Sequence, residues 1–471
     1  MTNSVAKRSK DINKMVDSAA RLRALMGGTT AMRASGVKYL PQFTAETGET
    51  YAERLAMSWL FNATKKTVRD MTGRVFKKSV ELAEETPDQI KEWAKNIDLA
   101  GRDLSTFARE VFEDGMQAGV SYIMVDAPAR NETVTVAQAA SMGLRPYFAH
   151  LRVEDVLGWK TEVVNNVTVL SQLRIMESVS ETDPKDEFST VEIEQVRVLD
   201  RTNIGVQTRL YRKVKDQSGK EDWQLFEEPT FSDMMEITVV PFYANRTGFF
   251  TGEPLLDDLA DVNIAHWQSQ SDQRNILHFA RVPILFGSGR QDDEPMTIST
   301  GQMTTAIDPS ADLKWVEHSG AAIGAGRQDL KDLEFQMETL GLQLLVQRSD
   351  SATGAALDAE KETSVLGMTA DQMQDALEQA MMWLAEYAGV DATPTVTVNK
   401  EFTVGMMTAQ EMAVLLQAVQ TGNMSRETFL RELARRGMVA ADLDPEDEAE
   451  RIAATPPALA GEAMDLTDGG E

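Results

Sequence analysis

Between Gln268 and Asn275 the chain reads QSQSDQRN, about two helical turns without one apolar residue. The run lies inside a helix pattern that opens at Pro254, where proline suits the first turn, and stops ahead of Pro283, which cannot continue it. Upstream, Leu255, Leu256, Leu259, Val262 and Ile264 supply one apolar face. A helix with a core face at one end and a wholly polar stretch further on is expected to leave one packed layer, cross wet space and enter another.

A second long helix is expected over Arg327–Arg348. There Leu330, Leu333, Met337, Leu340 and Leu344 alternate steps of three and four, the stripe that packs against a neighbouring helix. DSATGAALDAEKETS, Asp350 to Ser364, follows as a small polar loop containing Gly354. A third helix runs on to Gly389 with Met373, Leu377, Met381 and Leu384 on one side. An ordinary helical domain gives the same periodicity, so the stripes alone assign no function. The insert between the first two helices, Arg281 to Gly326, holds a short strand in VPILFGSG, an acidic turn RQDDEP, a second strand in LKWVEH and the glycine-rich GAAIGAG. Such an insert sits at one end of the helix pair.

Ahead of these helices, Thr50 to Phe76 reads as one helix with Tyr51, Leu55, Trp59, Ala63 and Val68 spaced for burial. Pro87–Leu99 and Leu104–Ala118 give two more, and Gly119–Asp126 a short apolar strand. From Pro146 to about Asn245 the period becomes two. VTVLSQLRIMESV, VEIEQVRVLDRT, GVQTRLYRKVKD and DWQLFEEP predict an antiparallel meander, closed by VVPFY at Val239–Tyr243. The fold class is therefore α+β, with a sheet-bearing platform before the long helices. After Gly389, Pro394–Val404 is expected to return as a strand to that sheet. Thr408–Gln420 forms a helix, and SRETFLRELARRG a second one capped by Ser425. From Asp442 the acidic, then proline- and glycine-containing tail reads as a helix stub followed by disorder.

With 471 residues the chain is long enough for about two to four domains. No apolar run approaches the roughly 18 residues of a membrane span, and Thr2–Gly28 lacks the apolar centre of a secretory signal. The absence of cysteine removes disulfides and thiolate ligands, and fits synthesis in a reducing cytosol. His150, His266, His278 and His318 are scattered, so no metal site is expected. The net charge of −27 should repel DNA over most of the surface, or simply keep the protein soluble. Residues 1 to 38 reverse that sign: Lys7, Arg8, Lys10, Lys14, Arg21, Arg23, Arg33 and Lys38 face only Asp11 and Asp17. This head reads either as a contact for DNA or an acidic neighbour, or as a frayed terminal helix. GAAIGAG lacks the Gly-Lys-Ser/Thr ending of a phosphate loop. No Gly-x-Ser-x-Gly elbow or His-Glu-x-x-His motif is present, so neither an enzyme nor a cofactor is expected.

The order of parts resembles the tailed-bacteriophage portal protein family, the head-to-tail connectors. PYFAHLRVEDVLGW (Pro146–Trp159) is similar to a segment of the family's wing. The run from Val240 to Gly289, VPFYANRTGFFTGEPLLDDLADVNIAHWQSQSDQRNILHFARVPILFGSG, resembles the entry to the first stem helix and clip. NKEFTVGMMTAQEMAVLLQAVQTGNMSRETFLRELARRGMV (Asn399–Val439) resembles the closing strand and helices. The resemblance spans most of residues 40 to 450.

By position, the resemblance implies a wing over about 39–250 with strand 394–404 returning to it. The stem would be 254–280 and 327–348, with the clip at 281–326. The tunnel loop would be 350–364, followed by the helix to 389, and the crown would be 406–450. The basic segment 1–38 and an acidic disordered tail, 451–471, fall outside the match. Family members form a ring, usually a dodecamer, at one capsid vertex of the virion, assembled in the bacterial host cytoplasm. Double-stranded DNA passes through the bore without sequence specificity. Partners are terminase, then adaptor and tail proteins, with capsid or scaffold around the ring and no membrane. The residues implied to line the channel are Asp350, Ser351, Thr353, Gly354, Ala356, Asp358 and Lys361. Arg290, Gln291, Asp292, Asp293 and Glu294 form a candidate partner contact in the clip, or a solvated turn. The alternative is another oligomeric structural or scaffold protein of a macromolecular assembly.

Overall fold

A computed structural model describes residues 4–127, 144–183, 186–215, 221–281, 284–288, 312–316, 321–342, 352–400 and 409–435, with positions 402, 439 and 451. The chain divides into two compact units, Met1–Lys400 and Glu401–Glu471.

The larger unit opens with α1 (Lys10–Met26), capped by the Ser9 hydroxyl, which accepts from the Ile12 amide at 3.3 Å. Ile12, Met15, Ala19, Leu22 and Leu25 make its buried stripe. Three of its four cations pair with acids on distant segments. Lys14 meets Glu253 at 2.7 Å, Arg21 reaches Asp257 and Asp261 at 2.6 Å, and Arg23 reaches Asp114 at 2.6 Å and Glu154 at 2.9 Å. The basic head is thus a docked helix rather than a frayed one, while Lys7, Lys10 and Lys38 stay exposed. Its helix docks because the apolar stripe and the acid partners on distant segments act together.

After α2 (Gly28–Ser35), the expected single helix over Thr50–Phe76 is two, α3 (Gly48–Met57) and α4 (Ala63–Val75). Ser58 is extended, and the Asn62 side chain accepts from the Lys65 amide at 2.9 Å, so a new N-terminus starts there. Trp59 sits in the break, 38% exposed rather than buried, with the Arg274 guanidinium 5.3 Å from its ring. β1 (Glu81–Leu82), α5 (Asp88–Ala94) and α6 (Leu104–Ala118) follow. Asp103 caps α6, accepting from Thr106 at 2.7 Å. Gly119 ends it at φ +81°, where a Cβ would lie 2.2 Å from the Glu253 carbonyl oxygen.

Two sheets form the platform. The smaller is antiparallel and ordered β10–β2–β3, with β2 (Val120–Asp126) in the middle, β3 (Tyr147–Leu151) on one side and β10 (Val239–Tyr243) on the other. VVPFY therefore does not close the meander. It crosses to β2, and Phe242 stacks on Phe112, centroids 5.4 Å apart, over Gly115. The larger sheet is the expected antiparallel meander of β4 (Val156–Val164), β5 (Val167–Asp183), β6 (Asp186–Thr202), β7 (Gly205–Lys215) and β8 (Glu221–Leu225), with β9 (Thr230–Ser232) also on β7. Opposite charges bridge its strands: Arg197 to Glu177 at 2.6 Å, Arg209 to Asp200 at 2.6 Å and Arg212 to Glu181 at 2.8 Å. One core joins α1 to both sheets through Ile12, Met15, Val120, Tyr122, Leu151, Val156, Leu173 and Val239.

β11 (Arg246–Gly248) and β12 (Thr251–Gly252) lead into the long helix α7 (Asp257–Ala280). β13 (Ile284–Ser288) and β14 (Asp312–Val316) pair antiparallel, Ile284 opposite Val316, and α8 (Ala321–Met337) follows. α8 begins six residues before the expected Arg327, so much of GAAIGAG is already helix. A π turn, Glu338–Leu342, ends it. That wider turn changes the phase of the stripe: Met337 is buried, Leu340 is exposed, and Leu344 lies outside the described residues.

α9 (Ala352–Ala388) buries Met373, Leu377, Met381 and Leu384 on the expected side. Its first half is the stretch expected as a loop. Ala352, Ala355, Ala356 and Ala359 are the strongest helix formers, and Glu360, Lys361 and Glu362 also favour helix, so small size there means helix rather than loop. The returning strand is only β15 (Val396–Thr397), and it pairs with β1 instead of the meander.

The smaller unit contains α10 (Ala409–Gln420) and α11 (Arg426–Arg435), joined through Gly422 at φ +73°. The Ser425 hydroxyl accepts from the Thr428 amide at 3.0 Å, as its capping position implies.

Candidate functional site: the seam of the long helices

The polar run of α7 does not cross wet space. Ser271 and Gln273 are buried, and their partners come from segments far away in the chain. The Ser271 hydroxyl lies 2.8 Å from that of Ser58 and accepts from Arg54 Nη1 at 3.3 Å. Gln268 donates to the Tyr39 carbonyl at 3.0 Å. One turn earlier, Asn263 accepts from the amide and hydroxyl of Thr64 at 3.1 and 3.0 Å and donates to the Phe61 carbonyl at 2.7 Å. A polar helix face can be buried when most of its bonds are supplied, as here, where Gln270 Oε1 and Gln273 Oε1 are left without a partner among the described residues.

Arg54 is the centre of this cluster. It is 2% exposed and holds Glu46, itself 7% exposed, through Nε–Oε1 at 2.7 Å and Nη2–Oε2 at 2.8 Å. Nη2 also donates to the Pro41 carbonyl at 2.8 Å, and the guanidinium stacks 4.1 Å from the Phe43 ring centroid. Hydrogen bonds from Arg54 hold the Glu46 carboxyl below the usual range. Asp272, 3.6 Å from Arg54, moves the other way, because burial outweighs the cation.

The other side of the seam is α8, which runs antiparallel to α7. Gln273 donates to the Ile323 carbonyl at 3.0 Å, Ser269 to Asp329 at 2.5 Å, and His266 Nε2 lies 3.5 Å from Glu334. Two glycines set the approach. A Cβ on Gly326 would meet Gln273 Oε1 at 2.1 Å, and one on Gly341 would meet Leu259 Cδ2 at 2.4 Å. His266 is buried, with the Phe61 ring 5.4 Å away, and burial pushes its pKa down against the pull of Glu334 and Asp329. Away from the seam α8 is solvated: Arg327, Gln328, Asp329, Lys331, Asp332 and Glu334 are exposed. On α7, Asp257, Asp258, Asp261 and Asp272 outnumber Arg274.

Of the residues singled out from sequence, Thr353, Gly354, Ala356, Asp358 and Lys361 lie on the first half of α9. Asp350, Ser351 and the whole Arg290–Glu294 turn lie outside the described residues. Sequence reasoning missed Arg54, Glu46 and Ser58. No local signal marks them, because their burial depends on where α7 sits.

A second buried charged cluster joins α1, α6, β2 and β3. Ser121 donates to Asp114 at 2.9 Å and lies 2.7 Å from His150 Nε2, and Arg23 closes on Asp114 from the other side. Serine and carboxylate both approach the same ring nitrogen, and Ser121 is fully buried, so this is not a hydroxyl poised to attack a substrate. Burial raises the Asp114 carboxyl, but His150 and Arg23 together outweigh it and hold it below its ordinary value.

A family model described as a domain of unknown function (DUF4055) matches residues 254–388, which takes in α7, β13, β14, α8 and α9. No curated protein matches the chain. Among solved structures, the chain is similar to one in the neck of an empty GTA particle computed with C6 symmetry. That match has 10% identity and a TM-score of 0.40, covering 84% of this chain and 90% of that one. A chain in the neck of the native GTA particle, computed with C12 symmetry, matches at 8% identity and a TM-score of 0.38, covering 80% and 89%. A chain of the virion of the native gene transfer agent particle matches at 11% identity and a TM-score of 0.38, covering 94% and 100%.

Proposed function

We propose that the chain is the repeating subunit of a phage-type portal. In this reading it forms a ring at one capsid vertex that passes double-stranded DNA during packaging and ejection and docks terminase, then adaptor and tail proteins. The observation that carries the reading is the α7–α8 pair: two long antiparallel helices, bridged at one end by the β13–β14 ribbon and followed by the 37-residue α9. One stripe of α8 packs on α7 and the rest is exposed and, Phe335 apart, mostly polar, as suits helices set around a water-filled bore.

In the ring, Asp350, Ser351, Thr353, Gly354, Ala356, Asp358 and Lys361 approach the DNA at the narrowest point, and Arg290, Gln291, Asp292, Asp293 and Glu294 offer a contact to the motor. Negative-stain electron microscopy of the purified protein tests the reading. Rings with a central hole wide enough for duplex DNA are the expected result, and a compact dimer or tetramer without a bore refutes it. In rings that do form, Gly354→Trp should impair packaging while leaving assembly intact.

A further inference from the structure

Two exposed surfaces in the larger unit carry opposite chemistry. The first lies at the α3–α4 break and along α4. Met57 at the end of α3, and Trp59 and Phe61 in the break that follows, are each more than a third exposed. Lys66 and Arg69 then fall on one exposed face of α4, with Gly73 in the same row, and Lys77 is exposed just past the helix's end at Val75. A Cβ at Gly73 would have no atom within 4 Å, so the row is open to close approach. Among the described residues none of these three cations has an ion pair, unlike the cations of α1 and of the large sheet.

The second surface lies at the β8–β9 edge. Phe226, Phe231 and Met235 are about half exposed. Glu227, Glu228 and Asp233 are exposed between them, again without an ion pair among the described residues, while the Arg212 guanidinium lies over the Phe226 ring. The two surfaces lie apart: α1 packs against both α4 and β4, whereas β5, β6 and β7 separate β4 from β8.

We infer that these surfaces bind each other between copies, residues 226–235 of one subunit seating on residues 57–77 of the next. The inference rests on the proposed ring. Subunits of net charge −27 repel one another, so a contact between copies needs unpaired cations facing carboxylates. Exposed aromatics beside those charges supply the apolar area, with Trp59 and Arg69 of the residue types that dominate interface energies. Because the two surfaces differ and lie apart, the contact is head-to-tail, the kind that closes into rings.

The test uses two charge-reversed full-length chains, Lys66→Glu/Arg69→Glu/Lys77→Glu and Glu227→Lys/Glu228→Lys/Asp233→Lys. Assembly is followed by sedimentation velocity at about 0.1 M salt, where charges within about 10 Å still interact. Each variant alone should assemble at least about 10-fold more weakly than wild type, equivalent to about 1.4 kcal/mol per contact. An equimolar mixture should recover assembly, since each reversed surface then finds its complement, and so should one chain carrying all six changes. The milder Lys66→Gln/Arg69→Gln/Lys77→Gln should fall between, which guards against a reversal that fails to fold. Wild-type assembly by both reversed chains overturns the contact and leaves the ring reading intact. A wild-type protein that never assembles overturns both. If the α4 reversal assembles normally but loses binding to a fluorescent DNA duplex, the row serves nucleic acid and the inference is wrong.

Discussion

Removing the guanidinium of Arg54 while keeping its length, as in Arg54→Met, tests whether the buried polar cluster holds α7. The change deletes both bonds to Glu46, the bond to the Pro41 carbonyl and the contact to Ser271. Glu46 is then a buried carboxylate whose surviving bond is the Phe43 amide at 3.1 Å. Breaking one side of a buried pair costs about 3–5 kcal/mol, and the surviving bond puts this case near the lower end, about 3 kcal/mol. With a urea slope of about 2–3 kcal/mol/M, the unfolding midpoint should fall by about 1 M. The double variant Arg54→Met/Glu46→Gln should recover most of the loss, because no charge is left stranded. The sign with pH follows from the depressed Glu46 carboxyl. Its contribution is complete above the ordinary carboxylate value of about 4.3 and is lost as pH falls through the lower folded value. The gap between wild type and Arg54→Met should therefore be widest near pH 7 and close toward pH 3. A loss below about 1 kcal/mol, or one that does not vary with pH, would refute the reasoning.

Three further outcomes can be checked on the same purified protein. Gly119→Ala sets a side chain at φ +81° against the Glu253 backbone, which cannot swing aside, and should cost about 3 kcal/mol or more in thermal or urea unfolding. Gly341→Val drives a branched side chain onto Leu259 Cδ2 and Thr67 Oγ1, so about 1–3 kcal/mol of overpacking is expected, with faster hydrogen exchange around the π turn. His266 is held neutral by burial. The unfolded ring therefore binds a proton first, and stability should decline as pH falls below about 6.5 until the folded ring protonates too. Melting curves from pH 7 to 5 should show this slope in wild type and a weaker one in His266→Phe.

The long helices, the meander and the ribbon were legible because each has a period that repeats over many residues. What the sequence hid was pairing across distance. The charge of residues 1–38 was plain, yet nothing local says that Arg21 meets Asp257 and Asp261, or that Arg23 meets Asp114. The α3–α4 break was carried by one asparagine cap inside a continuous apolar pattern, and tertiary packing left Trp59 outside. Over 352–364 the reason is different: small polar side chains suggest a loop, but alanine lowers the cost of helix more than any other residue. The π turn has no sequence marker of its own, so the phase change that exposes Leu340 could not be foreseen.

The polar run of α7 failed as a marker of wet space for a reason that bears on function. Periodicity reports only which residues can be buried against apolar neighbours. It is blind to a helix whose polar face is met by polar groups more than 200 residues away, as Ser271 is met by Arg54 and Ser58. Those contacts are directional where apolar ones are not. An apolar face tolerates a slide of one turn if new side chains fill the same space. Ser271 between two partners, Asn263 bonded to Thr64 and Phe61, and Gln268 on the Tyr39 carbonyl each lose their bonds if α7 moves by one residue. On the platform side, then, the register of α7 is fixed. On the α8 side the bonds are fewer, and the Gln273 Oε1 atom is buried without a partner among the described residues. Any relative motion of the two long helices should therefore occur at the α7–α8 seam, with α7 travelling as part of the platform.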